Sequence, residues 1–144
     1  MFDSILVVCT GNICRSPIGE RYLRCALPNK RIDSSGTGAL VNHAADISAV
    51  NVAKQHGLSL EGHLGRQFTS ILARNYDLIL VMERSHIEQI GQIAPEARGK
   101  TMLFGHWLNQ RDIPDPYRKS DEAFLSVYKL IEQAGKLWVQ KLGA

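Results

Sequence analysis

Residues 9–17, Cys-Thr-Gly-Asn-Ile-Cys-Arg-Ser-Pro, place a thiol, a guanidinium and a hydroxyl in one short segment directly after an apolar run. A loop that leads from a strand into a helix points several backbone N–H groups inward and adds the positive end of the helix dipole, which suits an oxyanion of phosphate size. Gly11 lets the backbone approach closely, and Asn12 tolerates the left-handed conformation that curls such a loop. The Gly-Lys-Ser/Thr ending of an ATP-binding loop is missing. Instead Cys9 stands at the base of the cradle and Arg15 at its rim, and the N–H groups, the dipole and Arg15 all favour negative charge on the sulfur. A nucleophile inside an anion cradle points to attack on phosphorus, with Arg15 gripping two equatorial oxygens as charge spreads in the transition state. Ser16 is then placed to donate to the thiolate as it is regenerated.

Cysteine followed by arginine six residues on is a weak pattern alone, and Cys25 with Arg31 repeats it. That second pair falls near the C-terminal end of a helix, where the dipole opposes a thiolate and Pro28 removes an N–H. Departure of an alkoxide or phenolate needs a proton, so a general acid must reach the same end of the fold. Asp115 in Pro114-Asp115-Pro116 is the candidate, its loop stiffened by two prolines; Asp112 is a rival without that constraint. Asp77 starts a strand and falls at the wrong end. The five histidines show no pair at metal-ligand spacing, and Cys9 with Cys14 has no second pair to complete a zinc site, so neither a metal nor another cofactor is expected. Cys14 is read as a small buried residue, with a reversible Cys9–Cys14 disulfide as the alternative.

The elements that must hold these groups alternate. Ser4–Cys9 reads as a buried strand, a helix containing Pro17 in its first turn runs to about Leu27, and Arg31–Ser35 is a second strand. Asp46 caps a helix to about His56 with Gly57 beyond it, and a short helix covers Thr69–Arg74. Asp77–Met82 is the clearest later strand, Ser85–Ile93 the helix behind it, and Thr101–Leu103 a short fourth strand. Residues 104–119 form a long ordered loop. The last helix begins at Ser120, and its stripe of Phe124, Val127, Tyr128, Ile131, Ala134, Trp138 and Leu142 should pack on the sheet. The fold class is α/β: a single-domain, three-layer sandwich of a four-stranded parallel sheet with helices on both faces. Sites in such sheets lie at the carboxyl ends of the strands, where residues 9–16 fall.

The 144 residues, 44% hydrophobic and 22% charged, suffice for one domain spanning residues 1–144. Apolar runs no longer than Ile5–Cys9 fall far below the roughly 18 to 20 residues of a membrane span. Three cysteines, with Cys9 and Cys14 so close, do not make a disulfide framework, which points to a reducing, cytoplasmic setting. A net charge of +3 from scattered basic residues is no nucleic-acid signature.

The stretch VCTGNICRSP together with DPYRKS resembles the low-molecular-weight protein tyrosine phosphatases, and ARNYDLILVME with RGKTMLFGHW is similar to their bacterial Wzb/Etp branch; the likeness runs from Phe2 to Leu142. That resemblance implies hydrolysis of phosphotyrosine through a cysteinyl-phosphate, with Cys9 as nucleophile, Arg15 binding the phosphoryl group, and Asp115 as acid and then base. It places Thr10, Gly11, Asn12, Ile13, Cys14 and Ser16 in the phosphate-binding loop and its brace, with Ser34 and His63 as further support. Leu40, Tyr117 and Arg118 form the substrate rim. Where eukaryotic members carry an aromatic on the loop after the second strand this chain has Leu40, and Arg118 replaces a second tyrosine, so one stacking wall is weaker. The implied partner is the tyrosine-rich tail of a membrane tyrosine autokinase in capsule or exopolysaccharide assembly. Two other readings share the loop. An arsenate reductase would need further cysteines after Cys25, and a non-catalytic phosphotyrosine-binding module would need neither Cys9 nor Asp115.

Overall fold

The β-branched run Ser4–Cys9 forms β1, and its alternate side chains enter two separate cores. A computed structural model describes residues 2–143. Arg31–Gly36 (β2), Leu78–Val81 (β3) and Thr101–Leu103 (β4) complete a four-stranded, all-parallel sheet in the order β2-β1-β3-β4. Ile5, Val7 and Cys9 face the helices Arg15–Ala26 (α1), Ile47–Gln55 (α2) and Asp121–Leu142 (α5). Leu6 and Val8 face the other core, which draws on Ser70–Ala73 (α3), Arg84–Ile93 (α4) and a 3-10 helix at Pro95–Lys100. Burying each large aliphatic side chain of this sheet contributes about 1.5–3 kcal/mol. The chain leaves β1 toward β2 on one side and returns through β3 on the other, so the loops after β1 and β3 diverge and open a crevice between them.

The sequence-based expectations locate every strand. Helix α1 starts at Arg15, with Cys14 as its N-cap. Pro17 lies in the first turn, where a missing N–H costs no intrahelical bond. The 3-10 turn opened by Pro95 is an addition to the expected elements. The stripe of α5 is buried as expected: Phe124, Val127, Tyr128, Ile131, Ala134 and Trp138 share one core with Ile5, Val7, Leu78 and Leu80 of the sheet, and the helix also packs along α1 and α2. It is anchored by the Trp138 indole N–H donating to the Phe104 carbonyl at 2.7 Å.

Candidate active site

Residues 10–14 curl around Cys9 because every carbonyl from Thr10 to Ile13 is turned outward and satisfied there. Thr10, Gly11 and Ile13 carbonyls accept from the N–H groups of Gly38, Leu40 and Asp46 at 3.0, 3.0 and 2.8 Å, and the Asn12 carbonyl accepts from His63 Nε2 at 2.5 Å. Asn12 takes the left-handed backbone, φ 58°, that its residue type permits. Among the described residues the N–H groups of Gly11 to Cys14 make no hydrogen bond, so they are available to an anion. Gly36, at the end of β2, lies so close beneath the loop that a Cβ would collide with the Thr10 carbonyl oxygen.

A polar chain behind the loop fixes the thiol. Both amide hydrogens of Asn12 are used, toward Ser16 Oγ at 2.7 Å and Ser34 Oγ at 3.0 Å, while its Oδ1 accepts from the Arg66 N–H at 2.9 Å. Ser34 in turn donates to buried Glu20 at 2.9 Å. Because Ser16 Oγ already accepts from Asn12, its own proton is free to point at Cys9 Sγ, 3.0 Å away. Glu20 is balanced by Arg21 and Arg24 at 3.0 and 3.6 Å. Cys14 is also buried. Burial first and Asp46 second push its thiol far above the ordinary range, so it keeps its proton and fits the reading of a small buried residue.

Arg15 is almost wholly buried, and its Nη1 is fully engaged, donating to Glu83 Oε2 at 2.5 Å and to the Ile113 carbonyl at 2.8 Å. The other edge is open: Nε is buried without a partner, and Nη2 lies 3.9 Å from Asp115 Oδ2. Nε–H and Nη2–H form the fork that binds two oxygens of one tetrahedral anion. Cys9, Arg15, Asp115, Leu40, Tyr117 and Arg118 all line one pocket of about 350 Å³, together with Thr10, Gly11, Ile13 and Cys14. Asn12, Ser16, Ser34 and His63 stand behind its wall. Asp112 is bound to Arg84 at 3.1 Å, and Asp77 accepts from the N–H groups of Asp3 and Ser4 at the opposite end of the sheet, so neither rivals Asp115.

Glu83, His86, Glu20, Arg66 and Gly36 are additions that reading the sequence missed. Glu83 and His86 follow directly on the third strand, and that position at its carboxyl end is the signal that could have found them. His86 Nδ1 accepts from the Glu83 N–H at 3.1 Å, so Nε2 carries the proton and donates to Thr10 Oγ1 at 2.9 Å. Burial, reinforced by the Arg15 charge, lowers His86 from 6.5 to about 4, and burial also lowers His63, so both rings brace the loop as neutral donors. Between those two values the unfolded chain binds the His86 proton more readily than the folded one. The contribution is therefore complete above about pH 6.5 and is lost as pH falls toward 4. The loss on this group amounts to at most about 3 kcal/mol. A His86→Gln protein should show a correspondingly shallower fall of Tm over that interval; parallel curves would show that His86 is not held neutral.

A thiol, an open arginine edge and a carboxyl sharing one pocket have the chemistry that phosphoryl transfer through a thiol requires. Comparison with known proteins agrees: residues 4–144 match the family model for low molecular weight phosphotyrosine protein phosphatase. A putative low molecular weight protein-tyrosine-phosphatase of Klebsiella pneumoniae is 73% identical, with 100% of both chains covered. Etp of Escherichia coli K12 is 62% identical over 98% of this chain and 95% of its own. The crystal structure of the tyrosine phosphatase Wzb from Escherichia coli K30, in complex with sulphate, superposes with a TM-score of 0.98 at 71% identity, covering 99% of this chain and 100% of that one. The chain belongs to the low molecular weight phosphotyrosine protein phosphatase family. Its enzyme class is protein-tyrosine-phosphatase.

Proposed function

We propose that this enzyme hydrolyses phosphotyrosine in two displacements centred on Cys9. In the first, Cys9 Sγ attacks phosphorus, the bond to the phenolic oxygen breaks, and Asp115 delivers its proton to the departing phenolate. In the second, water attacks the cysteinyl-phosphate, Asp115 takes its proton, and the S–P bond breaks to return a thiolate that accepts from Ser16. The open Nε and Nη2 edge of Arg15, sharing a pocket with Cys9 and Asp115, is the observation that carries this reading. That edge and the N–H groups of Gly11 to Cys14 stabilise the equatorial oxygens in both steps. The sulphate held by the related Wzb is an anion of the size the cradle accepts. Tyr117, in the lining of the same pocket as Cys9, flanks the aryl ring.

The partner we assign is the phosphorylated, tyrosine-rich tail of a membrane tyrosine autokinase in capsule or exopolysaccharide assembly, met in the cytoplasm. The similarity to Etp and Wzb supports it. Among the described residues no helix is long and apolar enough to cross a membrane. The test is turnover of an aryl phosphate with a chelator present, quenched in acid within the first cycle and mapped by mass spectrometry. A phosphoryl group on Cys9 is expected; steady turnover with Cys9 unmodified at every quench time would remove the mechanism. Release of phosphate from the autophosphorylated kinase tail tests the partner.

A further inference from the structure

We propose that Arg118 makes the enzyme selective for phosphotyrosines flanked by acidic residues, an inference that rests on the phosphatase reading above and names its substrate class. Arg118 adopts φ 61°, a left-handed backbone that costs energy for any residue with a Cβ. The turn around it imposes that conformation: the Tyr117 N–H is held by Asp115 Oδ1 at 3.0 Å and the Lys119 N–H by the Pro116 carbonyl at 2.9 Å. The result is to swing the guanidinium back over the Tyr117 ring, its carbon 5.3 Å from the ring centroid, and into the lining of the pocket that holds Cys9.

Among the described residues, Arg118 is a cation of the pocket lining without a carboxylate partner. Arg15 is engaged by Glu83, and Arg84 by Asp112, whereas among the described residues Arg118 forms no ion pair. A guanidinium stacked on an aromatic face keeps its N–H donors in its own plane, pointing sideways, so stacking and carboxylate binding are compatible. Stacking also removes much of the side-chain freedom that exposed ion pairs must otherwise lose. Gly38 and Leu40, also in the lining, carry no charge. A phosphotyrosine bound in this pocket therefore has beside Tyr117 a positive charge set by stacking, within reach of the residues that flank it. Arg118 thus serves as a specificity residue that does not touch the reacting atoms.

Two phosphotyrosine peptides of one sequence, with glutamate or with alanine on both sides of the phosphotyrosine, provide the test. They are compared by kcat/KM on the wild type and by Kd on Cys9→Ser protein. The glutamate peptide is expected to be preferred about fivefold in both measurements, the scale of one exposed ion pair. That ratio falls to about one in Arg118→Ala, inverts in Arg118→Glu and is intermediate in Arg118→Lys, with the change in KM rather than kcat. Raising salt from about 0.01 M to about 1 M, which cuts the screening length from about 30 to about 3 Å, should erase the preference. Equal values for the two peptides on the wild type, or a preference that survives Arg118→Glu, would overturn the role of Arg118 and leave the phosphatase reading standing. Wild type that binds both peptides and hydrolyses neither would overturn the phosphatase reading, and the ratio of Kd values would still decide the selectivity.

Discussion

Cys9→Ser protein is expected to lose aryl phosphate hydrolysis by at least about 10⁴-fold while binding a phosphotyrosine peptide with an affinity within about tenfold of the wild type. Turnover collapses because a serine hydroxyl is a much weaker nucleophile than the cysteine sulfur and a poorer leaving group in the second displacement. Ser16, itself held by Asn12, meets residue 9, and among the described residues no carboxylate or imidazole is hydrogen-bonded to it. Binding survives because the phosphate is held by groups the substitution leaves in place: the N–H groups of Gly11 to Cys14 and the Nε/Nη2 edge of Arg15, oriented by Glu83 and Ile113. Steady-state rates and calorimetric titration check the two halves separately. Retained turnover in Cys9→Ser would mean another nucleophile. A wild type that binds the peptide without hydrolysing it would favour a phosphotyrosine-binding module.

Asp115→Asn should reduce kcat by about 10²- to 10⁴-fold toward phosphotyrosine, the range for removal of a general acid. The deficit should shrink for esters whose phenol is a better leaving group, since a stable phenolate departs without a proton. The dependence on leaving group separates acid catalysis from a structural role, because a disturbed loop would slow all esters alike. The acid is well placed for this: its side chain is 46% exposed, Oδ2 lies 3.9 Å from Arg15 Nη2, and Oδ1 is fixed by the Tyr117 N–H. The variant should also lose the requirement for a protonated group from its rate profile against pH. An unchanged profile would assign the acid elsewhere.

Residues 9–16 were legible as chemistry because their types are unusual together. Thiol, small flexible residues, guanidinium and hydroxyl after an apolar strand have few uses other than anion chemistry. Asp115 was legible for a different reason, as the acid between two prolines on a loop that had to reach the right end of the sheet. Glu83 was not, although it binds Arg15 more closely than any other side chain. A glutamate just after a strand looks like any exposed acid until the neighbouring loop is folded against it. Glu20 was hidden further: on α1 it shares the charged composition of Arg21 and Arg24, and only the packing of β2 against α1 brings Ser34 over it and buries it.

By itself, then, the sequence determined the local alternation of strands and helices, the position of the nucleophile loop at a strand's carboxyl end, and the chemistry its side chains can perform, since these follow from hydrophobic period and residue type within short windows. Tertiary structure alone decided the strand order β2-β1-β3-β4, the seating of α5 against α1 and α2, and which partners orient each catalytic group. Those facts depend on contacts between residues as far apart as Arg15 and Ile113, or Thr10 and His86. Such contacts form only when the whole sheet closes, because a buried donor must find whichever acceptor the packing brings to it.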